Sequence, residues 1–169
     1  MGENTVTREL KKHRIEIENR EGVICITIKN RKYSQSLSEY YPIVIDLDKE
    51  RKIKSIEILS GQIDTIPTKE ITIPKPICKE ESIKEPTKDE IYTRQAYDPK
   101  KGILEIKMYE TRDMNLEEKE LSTTSKVNKI ITIALTKEKE LAAIWIKFPP
   151  EITKKLNRNE QINEIIETP

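Results

Sequence analysis

Clusters of lysine and arginine beside tyrosines are the residues of this chain best suited to chemistry. Lys11, Lys12 and Arg14 flank the single histidine, His13. Lys29, Arg31 and Lys32 precede Tyr33, and Tyr40 and Tyr41 share the same insert. Arg51 and Lys52 lie in a short charged turn, Lys100 and Lys101 before a later strand, and Lys154, Lys155 and Arg158 near the C-terminus. Cationic side chains neutralise phosphates, and a neighbouring aromatic ring gives an unstacked base a surface to lie on. All sixteen residues are therefore RNA-binding candidates. The competing reading is a solvated charged surface, because 36% of the chain is charged.

Other chemistry has less to stand on. Asp46 and Asp48 alternate along one strand, so both project from one face. With Glu50 they could offer oxygen ligands to a divalent cation. Lys49, Arg51 and Lys52 beside them suit an ordinary solvated face equally well, and no metal site is expected. His13 has no recognisable acid–base partner. The chain holds no H-E-x-x-H, G-x-S-x-G, P-loop or dinucleotide fingerprint. Cys25 and Cys78 make neither a disulfide framework nor a metal set. No catalytic residue, cofactor or small-molecule substrate is expected.

Charge and composition narrow the partner. The 31 basic residues against 30 acidic ones leave a net charge of +1. An anionic partner must then be met by local patches, not by a global field. The Lys/Glu-rich balance matches the bias of hyperthermophile, archaeal-looking proteins, and an AT-rich coding sequence would produce it too. No apolar run is long enough to span a membrane, and the polar N-terminus lacks the apolar core of a signal peptide. A cytoplasmic location and no membrane partner are expected.

These residues must be positioned by strands, and the strands come in two similar sets. Residues 22–28 (GVICITI) and 102–108 (GILEIKM) each place apolar side chains at alternating positions after a glycine. Ile24, Ile26 and Ile28 correspond to Leu104, Ile106 and Met108 and should face a core. The other face of the second copy, with Glu105 and Lys107, should face water. Residues 43–58 match 131–146 at a constant offset of 88, as two alternating strands around a charged turn. Order and register together imply an internal duplication. The expected fold class is mainly β (α+β), with two homologous small antiparallel β-sheet modules and short helices.

The hairpin IVIDLDKERKIKSIEIL (43–59) and the turn Tyr97-Asp98 resemble a family of small prokaryotic domains of unknown function, number 2283. The likeness covers about 40 residues of each copy. It departs at Asn19-Arg20, which replace the Tyr-Asp turn in the first copy. The family's hairpin glycine is absent from both copies, and Ala134 and Thr136 replace Asp46 and Asp48 in the second. The family implies a fold, not an activity. Two β-modules on one short chain are also similar, more loosely, to the archaeal ribosome-dormancy factors that inhibit both ribosomal subunits. That likeness implies ribosome binding, hibernation and inhibition of translation.

The expected organisation is a first β-module at 1–60, a proline-spaced linker at 61–90, a second β-module at 91–150 and a helical tail at 151–169. Pro67, Pro74, Pro76 and Pro86 favour extended chain in the linker. It either separates the modules or folds back along them as edge strands. The leading expectation is a non-enzymatic bivalent protein whose partner is the ribosome and its rRNA. The alternative is a protein-binding adaptor or homodimer that completes its sheets through edges such as 14–18 or 71–77.

Overall fold

Alternating isoleucines dictate strands throughout, and the computed structural model, which describes residues 13–59, 62–88, 90–109 and 121–168, contains thirteen. Lys11, Lys12 and most of the helix-compatible stretch 114–121 lie outside the described residues. The first sheet is built from β1 (His13–Arg20), β2 (Val23–Ile28), β3 (Gln35–Leu37), β5 (Ile43–Leu47), β6 (Ile53–Ile58) and β13 (Ile162–Thr168), in the order β13-β1-β2-β6-β5-β3. The second holds β4 (Tyr40–Tyr41), β7 (Cys78–Lys79), β8 (Ile91–Asp98), β9 (Ile103–Tyr109), β10 (Thr123–Lys126), β11 (Ile131–Leu135) and β12 (Leu141–Lys147). Its order is β4-β8-β9-β12-β11-β10-β7. All neighbours are antiparallel except the parallel outer pairs β4–β8 and β7–β10. Among the described residues there is one α-helix, α1 (Pro150–Asn157), which starts on a proline, where the missing N–H costs nothing.

The inward faces of both sheets meet in one continuous core. Ile24, Ile26 and Ile28 pack in the same cluster as Leu104, Ile106 and Met108, as the alternation predicts. The molecule is a β-sandwich, and the boundaries expected at 60 and 91 do not divide it. The first insert sends Tyr40 and Tyr41 into the second sheet, and β13 completes the first.

The shared strand order extends to details 88 residues apart. Lys54 and Ala142 are each passed over where the hairpin register shifts, between Asp46/Leu47 and Ala134/Leu135. Arg51 and Lys139 adopt left-handed backbone, with φ of 62° and 70°. Each of their N–H groups donates over 2.9 Å, to the carbonyls of Asp48 and Thr136. The two sheets differ at the preceding turn. Glu21 and Gly22, both at positive φ, make a tight two-residue turn, whereas Asp98–Gly102 makes a longer one.

One open alternative is resolved and two expectations are corrected. Of the two alternatives for the linker, the folded-back one is present. Ile63, Ile66, Ile71 and Ile83 are buried, and the strap 68–77 crosses the outer face of the second sheet. Its Lys69 N–H donates to the Tyr97 carbonyl and its Ile77 N–H to the Thr124 carbonyl. Second, Glu105 is consequently buried under the strap and does not face water. Third, the tail is helical only to Asn157, because the open edge of β1 pairs with Ile162–Thr168 along seven residues. That pairing also removes residues 14–18 from the sheet edges, as packing over the sheet removes 71–77. Among the described residues no helix is long and apolar enough to cross a membrane.

Candidate nucleic-acid interface

The candidate cations fall into two groups, one around the β2–β3 loop and the two hairpin turns and one around α1, with β2 running between them. In the first group the loop and the turns are joined by residues 80–84. Ile83 N–H donates to the Arg51 carbonyl and Lys84 N–H to the Lys139 carbonyl. Arg14, Lys29, Arg31, Lys32, Arg51 and Lys52 belong to this group. In the second group α1 joins the β8–β9 turn to the β1–β2 turn. Asn157 Nδ2 donates to the Pro99 carbonyl over 2.9 Å, and Asn19 Nδ2 to the Glu160 carbonyl over 3.2 Å. Lys100, Lys101, Lys154, Lys155 and Arg158 belong here.

Several of these cations already hold the fold together. Arg31 forks onto Glu80 at 2.5 and 2.9 Å and also donates to the Ile53 carbonyl. Both side chains of that pair are largely buried. Arg51 Nε donates to the Ile83 carbonyl over 2.6 Å. Lys101 Nζ reaches the Ile71 carbonyl at 3.1 Å. Lys155 pairs with Glu164 at 2.6 Å, and this hydrogen bond raises its pKa. Lys29 lies 3.5 Å from Glu16, while Lys52 and Arg158 approach Glu50 and Glu160 at 3.9 Å. Lys32, Lys100 and Lys154 are exposed, as is Arg14. Those four are the groups most open to a phosphate.

The tyrosines also separate. Tyr33 and Tyr41 are 59% and 69% exposed. Tyr40 is fully buried in the core, and burial raises its pKa far above the ordinary value. It is withdrawn from the RNA candidates, since no base can reach it.

The acidic and histidine candidates have structural roles. Asp46 accepts hydrogen bonds from Ser36 Oγ at 2.6 Å and Ser55 Oγ at 2.8 Å. Asp48 Oδ1 accepts the N–H groups of Glu50 and Lys52, which fixes the hairpin turn. Among the described residues no group of three or more His, Cys, Asp or Glu is placed to hold a metal ion. His13 Nδ1 accepts from Asn128 Nδ2 at 3.1 Å. The Asn128 orientation is set by its own Oδ1, which accepts two N–H groups.

One cleft draws on residues that the clusters alone do not reveal. It has a volume of about 360 Å³ and lies between the strap and the β8–β9 turn, lined by Lys69, Lys100 and Lys101 together with Glu70 and Asp98. Asp98 Oδ2 accepts the Ile71 N–H at 3.0 Å, and Oδ1 accepts those of Lys100 and Lys101. The Ile71 hydrogen bond, outweighing burial, holds the Asp98 carboxyl below the ordinary carboxylate range. Tyr97 OH donates to Asn157 Oδ1 at 2.8 Å, and burial then Asp98 push its pKa up to about 12. The Tyr97-Asp98 turn thus pins the strap with one residue and the helix with the other. Lys69 was missed because its partner, Glu105, lies far along the chain. The sequence signal was Trp145 at an alternating position, since a tryptophan on a bare face is unusual.

The sequence matches no protein-family model, and no curated protein matches it significantly.

Proposed function

We propose that this chain is a non-enzymatic, ribosome-associated protein that contacts rRNA through two cationic groups on a rigid sandwich and holds translation off. The observation that carries the reading is the division of exposed cations into two groups with β2 running between them. Arg14 and Lys32 with Tyr33 serve one group, and Lys100 beside the strap cleft with Lys154 on α1 serves the other. Bivalency then comes from one rigid body and not from a stretchable linker. The matched strand order, register shift and left-handed turn residue favour an internal duplication as its origin, and with it the likeness to domain family 2283.

Sucrose-gradient sedimentation of stationary-phase lysate at two salt concentrations tests this. The protein should travel with ribosomal particles at low salt and leave them at high salt, because phosphate contacts release counterions. Migration at the top of the gradient at both salts would sink the proposal.

A second reading is a homodimer or adaptor that adds a strand at β13. Among the described residues this strand pairs on one side only, with β1, and Ile165 on it is 50% exposed. Asn163→Pro should abolish such an association in sedimentation velocity and leave ribosome binding intact.

A further inference from the structure

The outer faces of the two sheets differ more than their strand order does. Glu105 pairs across the second sheet with Ala96 and Trp145, and Cys25 pairs across the first with Glu18 and Glu57. Ala134–Ala143 and Asp46–Ser55 are likewise matched pairs. The second sheet therefore presents alanines, a tryptophan and one carboxylate where the first presents three carboxylates, a thiol and a serine.

On the second sheet the strap covers these positions. Ile71 is 1% exposed and packs with Ile103, Ala134, Ala143 and Trp145. Lys69 Nζ stands 2.8 Å from Glu105 Oε1. On the first sheet Glu18, Cys25, Asp46 and Glu57 are partly buried, and no described segment crosses them. Among the described residues neither Glu18 nor Glu57 has a salt-bridge partner within 4.0 Å.

We propose that the outer face of the first sheet is the docking site for an extended, lysine-bearing segment of a partner polypeptide, laid across the strands as residues 68–77 lie across the second sheet. The strap supplies the template: a β-region segment, an apolar residue over the small side chains and a lysine on the central carboxylate. Asp46 is held by Ser36 and Ser55, so Glu18 and Glu57 are the two carboxylates left to pair, and they call for two lysines where the strap brings one to Glu105. The same carboxylates repel phosphate, so this site is separate from the RNA contacts proposed above and stands without them.

Cys25, at the centre of the face, is the reporter. In full-length Cys78→Ser protein it is the one remaining thiol. The probe is a fluorescein-labelled peptide of alternating Lys and Ile, as long as the 68–77 segment, with a Glu/Ile peptide as control. The Lys/Ile peptide should bind by anisotropy and slow maleimide labelling of Cys25 about fivefold or more at saturation, while the Glu/Ile peptide does neither. Glu18→Gln with Glu57→Gln should weaken binding about tenfold, and Trp145 fluorescence in urea verifies that the variant is folded. An unchanged labelling rate, equal binding of the two peptides or full affinity in the glutamine variant each overturns the proposal. Protection of Cys25 that grows with protein concentration in the absence of peptide also overturns it, in favour of a second copy on this face.

Discussion

Replacing Gly102 by alanine should destabilise the sandwich through two separable effects. Gly102 has φ of +70°, the left-handed region that a Cβ disfavours by about 1–2 kcal/mol. Its added Cβ would also stand 2.1 Å from Thr153 Oγ1 and 2.9 Å from Thr153 Cγ2. Thr153 cannot swing away freely, because its hydroxyl donates to the Pro149 carbonyl at 3.0 Å in the first turn of α1. Gly102 is itself held on both sides, by its N–H to the Asp98 carbonyl and its carbonyl from the Phe148 N–H, each at 2.8 Å. Forcing a methyl group into such packing costs about 1–3 kcal/mol. The sum is about 2–5 kcal/mol, set against a small gain from a stiffer unfolded chain. Thr153→Ala removes the two closest atoms, Oγ1 and Cγ2, and leaves the residue 153 Cβ 3.0 Å from the added methyl. Gly102→Ala should therefore cost little more than the backbone part in that background. Urea unfolding followed by the single buried tryptophan, Trp145, measures all four corners of the cycle. Additivity within about 0.5 kcal/mol would refute the steric argument.

Asp98→Asn should lower the unfolding midpoint at neutral pH, because an amide accepts the Ile71, Lys100 and Lys101 N–H groups less well than a carboxylate. The Asp98 pKa is depressed on folding, so its stabilisation is complete above the unfolded carboxylate pKa and fades as pH falls through the folded one. The gap between wild type and variant should close in acid, as urea curves at stepped pH would record. Arg31→Met strands the buried Glu80 and should cost about 3–5 kcal/mol in urea unfolding, whereas Lys32→Ala should leave stability unchanged and weaken only RNA binding. Lys69→Met should cost about 1.5–3 kcal/mol and expose the strap, so thermolysin should cut before Ile71 sooner than in wild type. Lys100→Glu alone and Lys32→Glu alone should each lower the salt slope of ribosome binding, measured by co-sedimentation.

Strands were legible because each carries its period within a few residues. Ile24, Ile26 and Ile28 repeat every second position, and the matched hairpins repeat a bulge and a turn at one offset. What escaped was decided by distant chain. Glu105 sits at an alternating charged position and reads as solvent-facing. Burial would push its carboxyl up, but hydrogen bonds from Lys69 and Trp145 hold it below its ordinary value. Ile162 and Ile166 suit a short helix as well as a strand, and the choice was made by the open edge of β1. Tyr40 belongs to a two-residue strand whose partner begins at Ile91, so no local period marks it. Of the candidate site, the charges were legible and their availability was not. Arg31 and Lys32 are neighbours in sequence, yet one is locked to Glu80 and the other is exposed.

The folded strap alters what two contacts can achieve together. A free linker of some thirty residues would tolerate many spacings between two sites but would lose entropy when both engage. Here that ordering has already occurred on folding, through Ile71 under Trp145 and Ile83 between the hairpin turns. A target whose two sites match the spacing of the two cationic groups is then met by a preorganised body. A target with any other spacing is met by one group alone. Selectivity in such a molecule comes from distance as much as from charge, which a net charge of +1 could not supply. On the function proposed above, the strap that hides Glu105 is also an element that holds the two cationic groups at a fixed spacing.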